Sequence, residues 1–313
     1  MPGSEFLLVF MIKRIISIVL ALALLAWLIA DRRWQSVGTA LFALPGHIWG
    51  LALAGMGLSY LLRAIRVYEE FRQPGQKRFW LCVRIVLVHN AWVNVLPFRS
   101  GEAAFPILLR RYFGTPLPQA LISLFWFRLQ DAFVVAGAAC LLLPGLPTFV
   151  RGAGLLGLGL CAWALPSWAR KVKIGQEAQG GWRQKFEKVR AALAHSTKHA
   201  RWGWVWTVGN WSIKLAVQAT LLAGLLHSAW PLGATGALGA ELAAILPIQG
   251  VAGFGTYEAG AAAALRAGGV LFEAGLQAAL GLHLFMIASA VSAGALASLF
   301  VPGQVEMLEN LQD

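Results

Sequence analysis

Charge is scarce in this chain. Only 13% of its 313 residues are Asp, Glu, Lys or Arg, against roughly 25% in a soluble globular protein. With 58% hydrophobic residues and a mean hydropathy of +0.65, that scarcity excludes an ordinary water-soluble domain. Nucleotide and metal motifs are missing too. There is no Walker A sequence, and no GxGxxG follows a soluble strand–helix pattern, so the chain is not expected to hydrolyse ATP. His195 and His199 stand four apart without the glutamate of an HExxH motif, which argues against zinc. No His/Asp cluster or nucleophile motif supports a membrane-embedded enzyme. The three cysteines, Cys82, Cys140 and Cys161, lie in apolar runs without CxxC spacing and read as buried thiols. No catalytic residue, metal, cofactor or nucleic-acid partner is expected.

What the chain has instead is a series of apolar stretches, at about 7–30, 45–62, 79–97, 119–143, 148–168, 202–229, 232–248, 254–272 and 276–301. A full crossing takes about 20 residues, because a helix rises about 1.5 Å per residue through a hydrocarbon core of roughly 30 Å. The stretches at 79–97, 232–248 and 254–272 are short or interrupted, so re-entrant hairpins describe them better. The 14 tryptophans suit long membrane–water interfaces, although about half are expected to pack between helices. Gly3-Ser4-Glu5-Phe6 reads as a cloning-site scar before a natural start at Met11, so residues 1–10 are set aside as a leader. The run Ile15 to Ala30 lacks an A-x-A-like site and reads as an uncleaved span. Residues 11–302 form one membrane domain, with a basic loop at 169–202 and a short acidic tail at 303–313.

Charge sets the orientation. The segment 63–84 carries Arg63, Arg66, Arg72, Lys77, Arg78 and Arg84, and 170–201 is more basic still. Both are expected to be cytoplasmic loops by the positive-inside rule, as are the N-terminus, marked by Lys13 and Arg14, and the C-terminus. The uncharged connectors at 143–147 and at Trp230-Pro231 fit the outer side.

Two apolar runs break in the same manner. Asn94-Val95-Leu96-Pro97-Phe98-Arg99-Ser100-Gly101-Glu102 and Leu246-Pro247-Ile248-Gln249-Gly250-Val251-Ala252-Gly253-Phe254-Gly255-Thr256-Tyr257-Glu258 each place a Leu-Pro before glycine and a glutamate. Proline removes a backbone donor and glycine loosens the chain, so Pro97, Gly101, Pro247, Gly253 and Gly255 should stop the helices. Backbone freed in this way survives at membrane depth only inside protein or beside a wet cavity. Paired breaks in two halves of a membrane protein point to a substrate site. The charge pattern brings the two hairpins in from opposite faces, which predicts an all-α polytopic fold with an inverted-topology repeat, about 79–145 against about 232–301.

Ionisable residues within such segments are functional candidates by default. Asn94, Arg99 and Glu102 surround the first break. Arg99 suits a phosphate because its planar fork donates two parallel hydrogen bonds, or it pairs with Glu102. Arg110 and Arg111 fit interfacial anchors. Arg128 and Asp131, three apart, share a helical face and can neutralise one another. Lys214 and Gln218, four apart, face one cavity, unless Lys214 snorkels. Glu258, after the second break, can bind a cation, take a proton or anchor an arginine. Glu241 is a weaker candidate, and His89 a packing histidine.

In order, Arg63-Ala64-Ile65-Arg66, Asn94-x-Leu96-Pro97-x-Arg99-x-Gly101-Glu102, Arg128-x-x-Asp131 and Pro247 with Gly253-x-Gly255-x-x-Glu258 resemble the lysylphosphatidylglycerol synthase transmembrane-domain family, also called flippase-like. The resemblance covers roughly residues 11–302. It implies a domain that flips a lipid modified by a separate cytosolic domain. With only 303–313 following Pro302, no aminoacyl-transfer domain is expected here. The chain departs from the family's Glu-Arg-x-x-Asp pattern at Phe127-Arg128-Leu129-Gln130-Asp131, and its second break lacks a second proline–glycine pair.

Together these readings predict a lipid translocase of the bacterial inner membrane that moves a phospholipid or lipid-linked headgroup, with Asn94, Arg99, Glu102, Arg128, Asp131, Lys214 and Glu258 meeting substrate. The expected partners are membrane lipids, anionic phospholipid foremost, with a homo-oligomer or a membrane-enzyme partner left open. The alternative is a non-transporting partner that positions a lipid-modifying enzyme or glycosyltransferase. A polar, headgroup-sized cavity favours the first reading, and a sealed dry interior the second.

Overall fold

The computed structural model describes residues 33–72, 78–170, 187, 190–191, 193–194, 202–245 and 251–299, with the backbone alone at 33–34, 97–99, 170 and 251. The leader 1–10, the first span at 7–30, most of the basic loop at 169–202, the Leu246-Pro247 break itself and the tail at 303–313 lie outside the described residues.

All regular structure among the described residues is helical. The elements are α1 (Arg33–Phe42), α2 (Gly46–Phe71), α3 (Phe79–Val95), a 3-10 turn (Pro97–Ala103), α4 (Ala104–Phe113), α5 (Leu117–Leu142), α6 (Thr148–Arg170), α7 (Gly203–Leu225), α8 (Trp230–Ile245), a second 3-10 turn (Val251–Gly253), α9 (Thr256–Arg266) and α10 (Phe272–Leu299). The apolar helices α2, α5, α6 and α10, at 26, 26, 23 and 28 residues, are long enough to cross a bilayer. Helices α7 and α8 are bent by 118° across a short break, so α8 turns back against α7 instead of prolonging it. The outer surface is apolar, with Phe125, Leu156, Leu160, Trp163 and Leu299 among the exposed side chains. An apolar exterior of this kind needs lipid around it, and the protein is a multi-pass membrane protein.

The helix boundaries follow local chemistry. Pro45 and Pro116, both extended, stand just before α2 and α5, where a missing donor costs nothing. Gly114 ends α4 in the left-handed conformation with φ 65°. Arg151 closes the α5–α6 corner. Its guanidinium donates to the carbonyls of Cys140 (3.0 Å), Leu141 (2.6 Å), Leu143 (2.5 Å) and Leu146 (3.1 Å), taking up the orphan carbonyls at the end of α5. Arg151→Ala is expected to cost about 1.5 kcal/mol, the low end for hydrogen bonds to a charged group. A fall in the thermal unfolding midpoint in detergent, with an unchanged helical circular-dichroism signal, is the expected result.

One element order occurs twice: a long helix, a short one, a break, a short one, a long one. The first series is α2, α3 (17 residues), the 3-10 turn, α4 (10 residues), α5. The second is α7, α8 (16 residues), the second turn, α9 (11 residues), α10. The long helices that open each series, α2 and α7, pack on one another, and the two breaks touch. Helices α8 and α9 meet at small residues, where a Cβ on Gly239 would lie 2.4 Å from the Gly260 carbonyl oxygen.

Two expectations are corrected. The segment 63–84 is not a loop. Helix α2 runs to Phe71 and α3 starts at Phe79, which leaves only 72–78 between them. Arg66 is buried, while Arg84 donates to the Ala297 carbonyl at 3.1 Å and to the Tyr112 hydroxyl. A hydropathy window ends at the first arginine, whereas a folded bundle supplies partners and carries the helix on. The cysteines also differ from one another: Cys82 is buried, but Cys161 is exposed on α6, a helix at the rim of the bundle.

Candidate functional site

Both breaks border one polar cavity of about 240 Å³, walled by α2, α3, α5, α7, α8, α9 and α10. This is smaller than the roughly 300–1,000 Å³ of drug-sized ligand sites and is on the scale of a headgroup. Each break is shaped by close backbone contact or by left-handed residues. A Cβ on Gly101 would lie 2.2 Å from the Trp92 carbonyl oxygen, so the first 3-10 turn folds directly against the end of α3. At the second break Ala252, Gly253 and Gly255 have φ of 54°, 84° and 87°. Glycine adopts that region freely, whereas Ala252 holds it at a cost of order 1–3 kcal/mol. Ala252 and Gly253 form part of the cavity wall.

Of the residues singled out in the sequence, Asn94, Glu102, Arg128, Asp131 and Lys214 line this cavity. Arg128 grips Glu102 with two bonds, NH2 to Oε1 at 2.7 Å and Nε to Oε2 at 3.3 Å. Its distance to Asp131 Oδ2 is 3.6 Å, so the i,i+3 pair read from spacing is the weaker of its two contacts. Asp131 is held mainly from α2 and α7. Arg66 NH1 donates to it at 2.9 Å and Trp211 Nε1 at 3.1 Å. Arg66 also donates to Thr207 Oγ1 at 2.6 Å and lies 4.1 Å over the Phe127 ring.

Lys214 does not snorkel. Its ammonium sits 2.8 Å from Glu241 Oε1 and 4.4 Å over the Trp211 ring. Gln218 adds a bond to Glu241 at 2.5 Å and one to the Tyr257 hydroxyl at 3.0 Å. Glu241, ranked low from the sequence, is thus a cavity residue tied to Lys214 across α7 and α8. Asn94 donates to the Asn90 carbonyl at 2.8 Å. Glu258 lies one layer back. Its Oε2 accepts from the Gly255 amide at 2.7 Å, at the start of α9, and its Oε1 meets His283 Nδ1 at 2.6 Å. His283, not Glu258, reaches the cavity wall. The Arg99 side chain is outside the described residues, and Arg110 and Arg111 are exposed at the end of α4.

Arg63, Asn210 and His283 were not picked out as site residues, yet all three line the cavity. Asn210 had a usable signal, a polar residue inside a run that continues as apolar on both sides. His283 had the same signal within the longest apolar helix. Arg63 instead stands at the end of its run, with Arg66, Glu69 and Glu70 following. Among the described residues no cluster of three or more His, Cys, Asp or Glu fits a metal ion.

Arginine, lysine and carboxylates thus gather around two helix breaks inside an apolar bundle, where ionisable groups are costly unless paired or wetted. No curated protein matches the chain. The family model for the lysylphosphatidylglycerol synthase TM region matches residues 14–294, and on that match the chain belongs to this family of lipid-handling membrane proteins.

Proposed function

We propose that the protein is a lipid translocase of the bacterial inner membrane, moving a phospholipid or lipid-linked headgroup through the cavity while the acyl chains stay in the bilayer. The observation that carries this reading is the headgroup-sized polar cavity bordered by both helix breaks within an otherwise apolar bundle. The twofold element order, with 17 and 10 residues around one break and 16 and 11 around the other, supports two halves of inverted topology that enter as re-entrant hairpins from opposite faces. Movement of one half against the other would expose the cavity to each side in turn. In this scheme Arg128, Glu102, Lys214 and Glu241 exchange their mutual pairing for contacts with the headgroup. Asn94 adds an amide, Asp131 fixes Arg128, Arg99 meets the phosphate at the first break, and Glu258 sets His283. The basic connector at 72–78, all that is left as a connector of the segment 63–84, the basic loop at 170–201 and the two termini face the cytoplasm.

The test is reconstitution into liposomes that carry fluorescent phospholipids, with quenching from outside as the readout. Wild-type protein is expected to raise the rate of lipid exchange well above that of empty liposomes. Arg128→Ala is expected to reduce it about tenfold or more, because a charge-assisted contact is worth about 1.5–3 kcal/mol. Wild-type protein that leaves exchange at the empty-liposome rate, for every headgroup tried, sinks the translocase reading in favour of the non-transporting partner.

A further inference from the structure

We infer that Arg63 contacts, within the cavity, the phosphate of a membrane lipid whose acyl chain lies in an apolar groove between α3 and α10. The inference deepens the translocase reading and rests on its lipid-binding part.

The other cations of the site are already matched. Arg66, Arg128 and Lys214 hold Asp131, Glu102 and Glu241 at 2.9, 2.7 and 2.8 Å. Arg63 differs. Its guanidinium lines the cavity and gives one hydrogen bond, from NH1 to Asn90 Oδ1 at 3.1 Å. Among the described residues no carboxylate lies within the 4.0 Å of an ion pair. An arginine carries five N–H donors, so this fork keeps donors to spare for a ligand. Three cations, Arg63, Arg128 and Lys214, line the cavity with three carboxylates, Glu102, Asp131 and Glu241, while Arg66 holds Asp131 from behind the wall. Arg66 and Arg128 both spend their charge on carboxylates, so Arg63 is the lining cation left without a direct carboxylate partner among the described residues. A planar fork fits phosphate oxygens better than a point charge does. Asn210 lies on the same wall. Its Oδ1 accepts from Ser59 at 2.6 Å, which leaves its NH2 as a further donor.

A second feature selects a lipid over a soluble anion. A groove of about 300 Å³ runs between α3 and α10, lined by Val88, Trp92, Val95, Val291 and Ala295. Leu96 belongs to the walls of both the groove and the polar cavity. The two spaces therefore adjoin at the first helix break. A headgroup on Arg63 can have its chain leave past Leu96 along a surface without charge. A free phosphate has no use for such a groove.

The experiment measures equilibrium binding to the purified full chain in detergent, using short-chain phosphatidylglycerol and glycerol 3-phosphate as probes. Wild type is expected to bind the lipid more tightly than glycerol 3-phosphate. Arg63→Gln should weaken the lipid about tenfold or more, as expected for one lost charge-assisted contact. Ala295→Phe, which fills the groove, should weaken the lipid and leave glycerol 3-phosphate unchanged. Wild-type lipid affinity in Arg63→Gln overturns the assignment. Equal binding of the two probes, indifferent to Ala295→Phe, overturns the lipid as the source. Should Arg63→Gln fail to fold, Arg63→Lys answers instead: a fall in affinity supports the fork, and an unchanged affinity refutes it. None of these readouts requires lipid movement. A chain that binds but does not translocate keeps Arg63 as its phosphate residue and loses the translocase reading. One that translocates with Arg63→Gln at wild-type affinity does the reverse.

Discussion

Arg66→Ala is expected to destabilise the protein by about 3–5 kcal/mol, the range for removing one partner of a buried ion pair. Arg66 NH1 lies 2.9 Å from Asp131 Oδ1, and the two side chains are 5% and 11% exposed. Without it Asp131 keeps the Trp211 indole at 3.1 Å and Arg128 at 3.6 Å, and Thr207 loses its guanidinium partner. Arg128→Ala should cost less. The Arg128 side chain is 35% exposed to the cavity, and Asp131 keeps Arg66 when Arg128 is removed. The i,i+3 spacing marks Arg128 as the partner of Asp131, whereas the closer contact comes from Arg66. Thermal or denaturant unfolding in detergent micelles decides between them, and a larger loss for Arg128→Ala than for Arg66→Ala would refute the assignment. A companion test uses Arg66→Met with Asp131→Leu. Replacing both partners by apolar groups of similar size is often neutral, so the double variant should recover most of the stability lost by the single one.

The architecture was legible because its signals are strong and local. Apolar length marked α5, α6, α7 and α10, and the shortness of 79–97 and 232–248 marked α3 and α8, which end at Val95 and Ile245. The repeated Leu-Pro and glycine pattern marked two breaks whose contact with each other is a tertiary fact. Helix α9 stops at Arg266, before the apolar stretch at 254–272 ends. Charged residues were legible as a set but not as pairs. Arg128 pairs with Glu102, and Lys214 with Glu241, across 26 and 27 residues of sequence respectively. No periodicity encodes those pairings, since each depends on which helices the breaks bring together. Arg63 and Arg66 were read as loop charges because a hydropathy window counts cost and not partners. Within the bundle Asp131 and Thr207 offset the cost of Arg66, and the cavity offsets that of Arg63. Glu258 shows the converse. Its position after a glycine-rich break looked like a substrate contact, whereas its carboxylate caps its own helix at Gly255 and holds His283.

Gly239→Leu is expected to undo the second hairpin. A Cβ at Gly239 would meet the Gly260 carbonyl oxygen at 2.4 Å and the Ala264 Cβ at 2.4 Å. The reciprocal Cβ at Gly260 would lie 2.6 Å from the Gly239 carbonyl oxygen. Backbone stands against backbone here, so no side-chain rotation relieves the overlap and α8 must move away from α9. Small residues at helix crossings in membranes serve this close approach, and overpacking costs about 1–3 kcal/mol where neighbours can yield. With a carbonyl as the obstacle, about 3 kcal/mol or more is expected. The loss should not stop at stability. Helices α8 and α9 flank the second break, and Glu241, Tyr257 and the Ala252–Gly253 turn sit on the cavity wall. Separating the two helices moves Glu241 off Lys214, so the variant should fall in thermal midpoint and bind phosphatidylglycerol poorly. Gly57→Leu is the control, because a Cβ there has nothing within 4 Å and Gly57 is exposed on α2. Equal thermal midpoints for Gly239→Leu and Gly57→Leu would mean that α8 and α9 are not pressed together in the membrane, and the hairpin would then be too loose to hold one wall of the cavity.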